Sequence, residues 1–334
     1  MCQFYEINSF IGQHMSHSEL EFVTAPRLEQ DVLEYYQTIR FAPIPEGTDY
    51  KDHQKNIDDE FKRKLSGYFS AWRRMMAVGI HEHLSFSFWA DKFFQAYCSV
   101  LQEEQIRFFE VTAQRSAGFY IDKIVKRLRV LFESTSLTEE MHKLNERYDK
   151  RIEKLRESYC NTSQMYPDAA DLKLELSLNE GGNEIIDLRQ LERFLSNFQK
   201  SLAAEYWYRT QVVYRFYQVV RDDVQQRYVI HFYLSFNRSL YSDPLGYCNE
   251  IREHWMRATG YLGTCVYPEM HHQLSDADAQ KALRIDRIMQ EEAGCPLGAL
   301  NSMPENQTGQ FGLPSRICIY PKGFKWFDGA PVRR

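Results

Sequence analysis

Paired cysteines are missing from this chain. Its seven cysteines (2, 98, 160, 248, 265, 295 and 318) are scattered and never stand as CxxC. That spacing excludes a disulfide scaffold and a structural zinc site, and it implies reduced thiols in a cytoplasmic protein. No run approaches 18 uninterrupted apolar residues, and the first residues lack the basic-then-apolar form of a secretory signal. Neither a membrane span nor a membrane partner is therefore expected. A basic excess is also lacking: the formal net charge is −5. Global electrostatics do not mark a nucleic-acid binder, so any such surface must be a local patch. No P-loop, dinucleotide fingerprint or nucleophile elbow occurs. What is present is a 334-residue chain with 43% hydrophobic and 14% aromatic residues. That is enough for a substantial core in one large domain or two ordinary ones.

The first half reads as helical. Residues 29–40 carry Val32, Leu33, Tyr36 and Ile39 on one side, and residues 58–76 repeat Phe61, Leu65, Tyr68, Phe69 and Trp72 at three- and four-residue steps. Residues 89–109 continue this way, and no strand is expected before residue 170. Residues 117–133 set Lys123, Lys126, Arg127 and Arg129 among apolar positions, a candidate phosphate-contacting surface. Residues 137–159 alternate acids and bases around a thin apolar seam of Met141, Leu144, Tyr148, Ile152 and Leu155. That seam suits an antiparallel helix pair or a coiled-coil contact, and Ser136 with Glu139 reads as its capping box. Two histidine pairs carry little: His81 and His83 fall in helix or loop, and His271 and His272 in a surface loop.

Composition breaks at residues 160–170, the expected boundary between a helical region (1–160) and an α+β domain (170–293). Asp171 to Leu178 alternates strictly, with four leucines on one face. A helix follows over 187–206, then a strand over 211–221, a strand running into a turn over 227–241, a helix from Pro244 to Gly260 and a strand over 261–267. This order predicts a four-stranded antiparallel split-βαβ sheet, ferredoxin- or RRM-like, with two helices on one face and the other face open. A further helix is expected over 275–293. Residues 294–334 read as a basic Gly- and Pro-rich tail with a short apolar strand-like piece over 316–320, and Lys322 and Lys325 in it are candidate nucleic-acid contacts.

In the third strand, Ile230, Phe232, Leu234 and Phe236 make one face, and Val229, His231, Tyr233 and Ser235 the other. The run 229–241, ending in Asn237-Arg238 and Tyr241, resembles the matching strand of the YagK/YfjJ C-terminal-domain family. These are inovirus-type replication proteins, a branch of the HUH replication initiators. Leu191-Glu-Arg-Phe-Leu195, Arg221-Asp222, Trp255 and Thr259-Gly260 extend the resemblance over roughly 170–268. The family's strand has two histidines; here the second is His231 and the first is Val229.

The resemblance implies DNA as partner, single-stranded or origin DNA, with Tyr233 on the open face contacting it. It also implies a divalent cation, Mg or Mn, on His231 and Asp222, and a tyrosine that attacks a DNA phosphate. The residues 275–293 hold no tyrosine, leaving Tyr267 and Tyr320 as substitute nucleophiles. The expected function is thus a replication-initiator-like DNA-binding protein in which nicking depends on substitutes for the missing histidine and tyrosine. The alternative is a non-enzymatic interaction factor of a prophage or defence locus, docking a protein through its helical half.

Overall fold

In the computed structural model, which describes residues 19–178, 188–222, 225–237, 244–266 and 317–332, helices fill the first half and strands dominate after residue 170. The α+β class follows the change of hydrophobic period from about 3.6 to 2 residues. Two compact units divide the chain: Met1–Met141 with Cys318–Lys322, and His142–Ile317 with Gly323–Arg334. Among the described residues no helix is long and apolar enough to cross a membrane, and Cys98, Cys160, Cys248, Cys265 and Cys318 are free thiols.

The first unit holds helices α1 (Ala25–Phe41), α2 (Tyr50–Ser66), α3 (Phe69–Glu82), α4 (Phe88–Glu104) and α5 (Ala117–Glu133). One helix was expected over 58–76; two form, because the chain breaks at Gly67 and Tyr68 takes a non-helical backbone. Their aromatic stripes meet in a core around Trp72, Trp89, Phe93 and Tyr97, all fully buried. Tyr35 stacks on Phe61 at 4.1 Å and Phe109 on Tyr120 at 4.2 Å. A short strand, β1 (Leu84–Phe86), pairs with β6 (Ile319–Pro321). This corrects the expectation of no early strand. Its partner lies more than 230 residues on, beyond the reach of any local pattern.

Helix α6 (Thr135–Met165) starts before Ser136 and outruns its expected end, so Ser136 is not its cap and the division between units falls inside it. The second unit is built on a five-stranded antiparallel sheet in the order β5 (Gly263–Val266), β2 (Ala170–Leu178), β4 (Arg227–Phe236), β3 (Val212–Asp222) and β7 (Phe327–Pro331). Four strands were expected. The fifth comes from the segment read as a tail; Phe-Asp-Gly-Ala-Pro has neither alternation nor strand propensity.

Helices α7 (Leu188–Ala204) and α9 (Cys248–Ala258) cover one face, with the short α8 (Tyr206–Gln211) after α7. On that face Leu172, Leu174 and Leu176 pair with Leu234, Phe232 and Ile230. Phe198 of α7 stands edge-on to both Phe232 and Trp255 of α9, and Trp255 Nε1 donates to the Ser177 carbonyl at 3.0 Å. Each such buried side chain contributes roughly 1.5–3 kcal/mol of transfer free energy.

The second face is not open as expected. Ile152, Leu155 and Tyr159 of α6 bury Tyr214, Phe216 and Phe327. The seam assigned to a helix pair packs on the sheet instead. Its three- and four-residue spacing suits any apolar partner surface, so spacing alone did not choose between them.

Candidate functional site

The face that carries His231 can be read as four rows, because residues paired across antiparallel strands share a face. Asp171, Ser235 and Tyr214 form one, and Lys173, Tyr233, Phe216 and Gly329 the next. Then come Val266, Glu175, His231, Gln218 and Phe327, and last Thr264, Ser177, Val229 and Val220. At the β3 and β7 ends, Tyr214, Phe216 and Phe327 lie under α6. The β2 ends are polar.

His231 sits in the middle of its row and is buried, at 8% relative exposure. Its Nε2 lies 3.9 Å from Glu175 Oε1, beyond hydrogen-bond reach, and the Glu175 side chain is half exposed. Asp222, the other expected metal ligand, pairs with Arg227 at the far end of β3, four residues from Gln218, the partner of His231. At 3.3 Å per residue that is about 13 Å along the strand. Asp222 accepts instead from the Gln225 backbone at 3.0 Å, with Arg227 3.9 Å away. Val229, where the family has its first histidine, lies between Ser177 and Val220 and offers no ligand. Among the described residues no three His, Cys, Asp or Glu side chains converge. Among the described residues His231 and Glu175 alone fall short of the three protein ligands of a catalytic divalent site.

Tyr267 lies outside the described residues, as do Arg238–Tyr241, His271, His272 and 275–293. Tyr320 belongs to the first unit, where its hydroxyl donates to the Phe86 carbonyl at 2.9 Å. Burial pushes the phenol of Tyr214, which pairs across from Ser235, up to about 12. Tyr233 leans on Phe216 at 5.7 Å with Lys173 Nζ over its ring at 5.5 Å.

Two acidic side chains that sequence reasoning passed over organise the face. Asp171 accepts from the Tyr159 hydroxyl at 2.8 Å and from Ser235 at 2.5 Å, tying α6 to β2 and β4. Glu175 is the carboxylate nearest His231. Both alternate with the leucines of β2, and that alternation was the available signal.

The basic helix α5 is neutralised within its own unit. Lys123 meets Glu103 at 2.5 Å and Glu104 at 2.6 Å, and Arg127 meets Glu103 at 2.6 Å. Hydrogen bonds from Lys123 and Arg127 hold the Glu103 carboxyl down at about 2. Arg129 is taken by Asp58 at 2.5 Å. Lys126, Lys322 and Lys325 are exposed.

A second cluster joins the helix layer. His254 has Ser201 Oγ 3.1 Å from Nδ1 and Glu205 Oε1 3.3 Å from Nε2. The residue types are those of a nucleophilic triad. Ser201, however, donates its proton to the Phe198 carbonyl at 2.8 Å. It also sits inside α7, where backbone N–H groups are spent on the helix and cannot stabilise an oxyanion. The cluster clasps α7, the start of α8 and α9.

Comparison with known protein families, with curated proteins and with solved structures found no match for the chain.

Proposed function

We propose that the chain is a replication-initiator-like DNA-binding protein of phage or prophage type, with a split-βαβ sheet of the HUH kind that binds DNA without nicking it. One observation carries this reading. The strand bearing His231 is third of the four strands β2 to β5 in chain order, yet it lies centrally in the sheet. Those four stand in the spatial order fourth, first, third, second. His231 faces away from the two covering helices, as the resemblance requires. Binding without cutting is supported by the absence, among the described residues, of a third ligand beside His231 and Glu175, and by the Tyr320 hydroxyl being spent on Phe86.

The test is a mobility-shift and nicking assay on single-stranded and origin-type DNA with Mn²⁺, at stated salt. The expected result is salt-dependent retardation with no covalent protein–DNA product. Retardation no greater than that of an acidic control protein removes the reading, and a covalent product returns the chain to the nickases.

A protein-docking role has one observation in its favour: Phe41, Ile44 and Tyr50 are all exposed within ten residues of the first unit. A stable hetero-complex free of nucleic acid in gel filtration supports it; DNA binding by the isolated chain with no such complex dismisses it.

A further inference from the structure

The sheet face that the sequence left open carries an aromatic cluster. Phe216 of β3 and Tyr233 of β4 pair directly across the strands, with ring centroids 5.7 Å apart. Tyr214 points the same way two residues before Phe216, and Phe327 of β7 completes the group. Tyr214, Phe216 and Phe327 are buried, whereas Tyr233 at the rim is only partly so.

Helix α6 covers this cluster with rings of its own. Tyr159 stands edge-on to Tyr214 at 5.4 Å, and Tyr148 edge-on to Phe327 at 6.3 Å. The remaining contact is thin. Ile152, Leu155 and Tyr159 keep 9%, 8% and 7% exposure, whereas Phe198, Leu202, Ile251 and Trp255 beyond the other face keep 0%. The other ties are polar. The Tyr159 hydroxyl donates to Asp171, which also accepts from Ser235, and Arg151 donates to the Phe327 carbonyl. Hydrogen bonds of this kind exchange for water at little net cost, so α6 is the weaker of the two roofs.

Charge does not mark this face for a polyanion. Asp171 and Glu175 lie on it beside Lys173, whose ammonium stands over the Tyr233 ring at 5.5 Å, and Arg151 is spent on Phe327. Aromatic rings bind by another route. Any base can stack on them without a phosphate contact, and rings on one side of a sheet can hold two or three bases.

We propose that Tyr214, Phe216 and Tyr233 form a base-stacking platform for single-stranded DNA, and that α6 is the displaceable cover the bases replace. This rests on the DNA-binding reading above and names the surface and the control of that binding. In the closed form the tyrosines of α6 take the place of bases. Tyr233 receives the first base, and Phe216 and Tyr214 follow once Leu155 and Tyr159 have left.

The test is fluorescence anisotropy with a labelled oligothymidylate between about 50 and 200 mM salt. It compares the full chain, a released variant Leu155→Gln/Tyr159→Gln, and the released variant carrying Phe216→Ala/Tyr233→Ala in addition. Glutamine favours the helix, and circular dichroism checks that the fold is kept. The released variant is expected to bind about tenfold more tightly than wild type, the worth of roughly one stacked base. Its slope of log affinity against log salt is expected to match wild type, because stacking adds no phosphate contact. The two alanines are expected to abolish the gain. A released variant that binds like wild type overturns the cover and leaves the DNA-binding reading standing. A gain that survives the alanines, or that comes with a steeper salt slope, overturns the platform. Amide hydrogen exchange on the wild type supplies a readout free of any substitution. Saturating oligonucleotide is expected to speed exchange over 148–160 and to leave 188–204 and 248–258 unchanged. Protection of α6 that DNA does not alter overturns the cover. A chain that binds in neither wild-type nor released form removes both proposals.

Discussion

On the helix-covered face of the sheet, Leu172 meets Leu234, Leu174 meets Phe232 and Leu176 meets Ile230; one residue over on the same strands, Asp171 meets Ser235, Lys173 meets Tyr233 and Glu175 meets His231. The first face is roofed by two helices that interlock through Phe198 and Trp255. Among the described residues the second is roofed by one helix, whose seam offers about one apolar residue per turn. A seam that narrow covers the β3 and β7 side and leaves the polar ends at β2 without an apolar cover from α6. The contrast separates two jobs. The first face holds the unit together. The second is held by a few specific contacts, and polar chemistry can persist there without exacting a large desolvation cost.

The largest expected effect is on the first face. Trp255 is fully buried, edge-on to Phe198 and hydrogen-bonded to the Ser177 carbonyl. Trp255→Ala should cost about 3–5 kcal/mol, read as the loss in urea midpoint. Ile152→Ala, beneath the single helix, should cost about 2 kcal/mol. Equal losses would abolish the distinction between the faces.

Gly329 is the next lever. A Cβ there would lie 2.9 Å from the Tyr214 hydroxyl and 3.1 Å from Leu155 Cδ2 and Phe216 Cδ2. Gly329→Ala must push α6 off the sheet or move two rings, at about 1–3 kcal/mol. A stability unchanged by this substitution would mean that α6 does not sit tightly on this face in solution.

Asp171→Asn is expected to cost about 1–2 kcal/mol, because an amide is a weaker acceptor for the Tyr159 and Ser235 hydroxyls. Tyr159→Phe should cost less, since it removes one of the two bonds. If the order of the two variants were reversed, the carboxylate would not be the hub of this contact.

The elements that sequence reasoning recovered are those whose period is set by their own burial. The leucines of β2 alternate because only one side of the strand meets the apolar faces of α7 and α9, and the five buried positions of α7 repeat because one helix face meets the sheet. The elements it missed depend on partners remote in the chain. Strand β7 lacks a strand-like composition and exists because β3 presents it an edge; β1 exists because residues 319–321 return to it. The site was half legible. Alternation gave the correct face for His231, but the choice of Asp222 as its carboxylate came from the resemblance, whereas the register brings in Glu175 from β2. The basic residues of α5 looked available because Glu103 and Glu104 belong to another helix.

The smallest expected effect concerns His231 and Glu175, and it is the most informative for function. Their atoms stand 3.9 Å apart and the Glu175 side chain is 44% exposed, so solvent screens the pair. Glu175→Gln should change stability by less than about 0.5 kcal/mol at neutral pH. A metal centre would behave otherwise. A cation at a hundred times its dissociation constant stabilises the folded state by about 2.7 kcal/mol, and replacing one of only two ligands would abolish that gain. Millimolar Mn²⁺ is therefore expected to leave the unfolding midpoint of both wild type and Glu175→Gln unchanged. A midpoint that rises with Mn²⁺ in wild type, and in neither Glu175→Gln nor His231→Ala, would make this polar row a working cation site and end its contrast with a catalytic one.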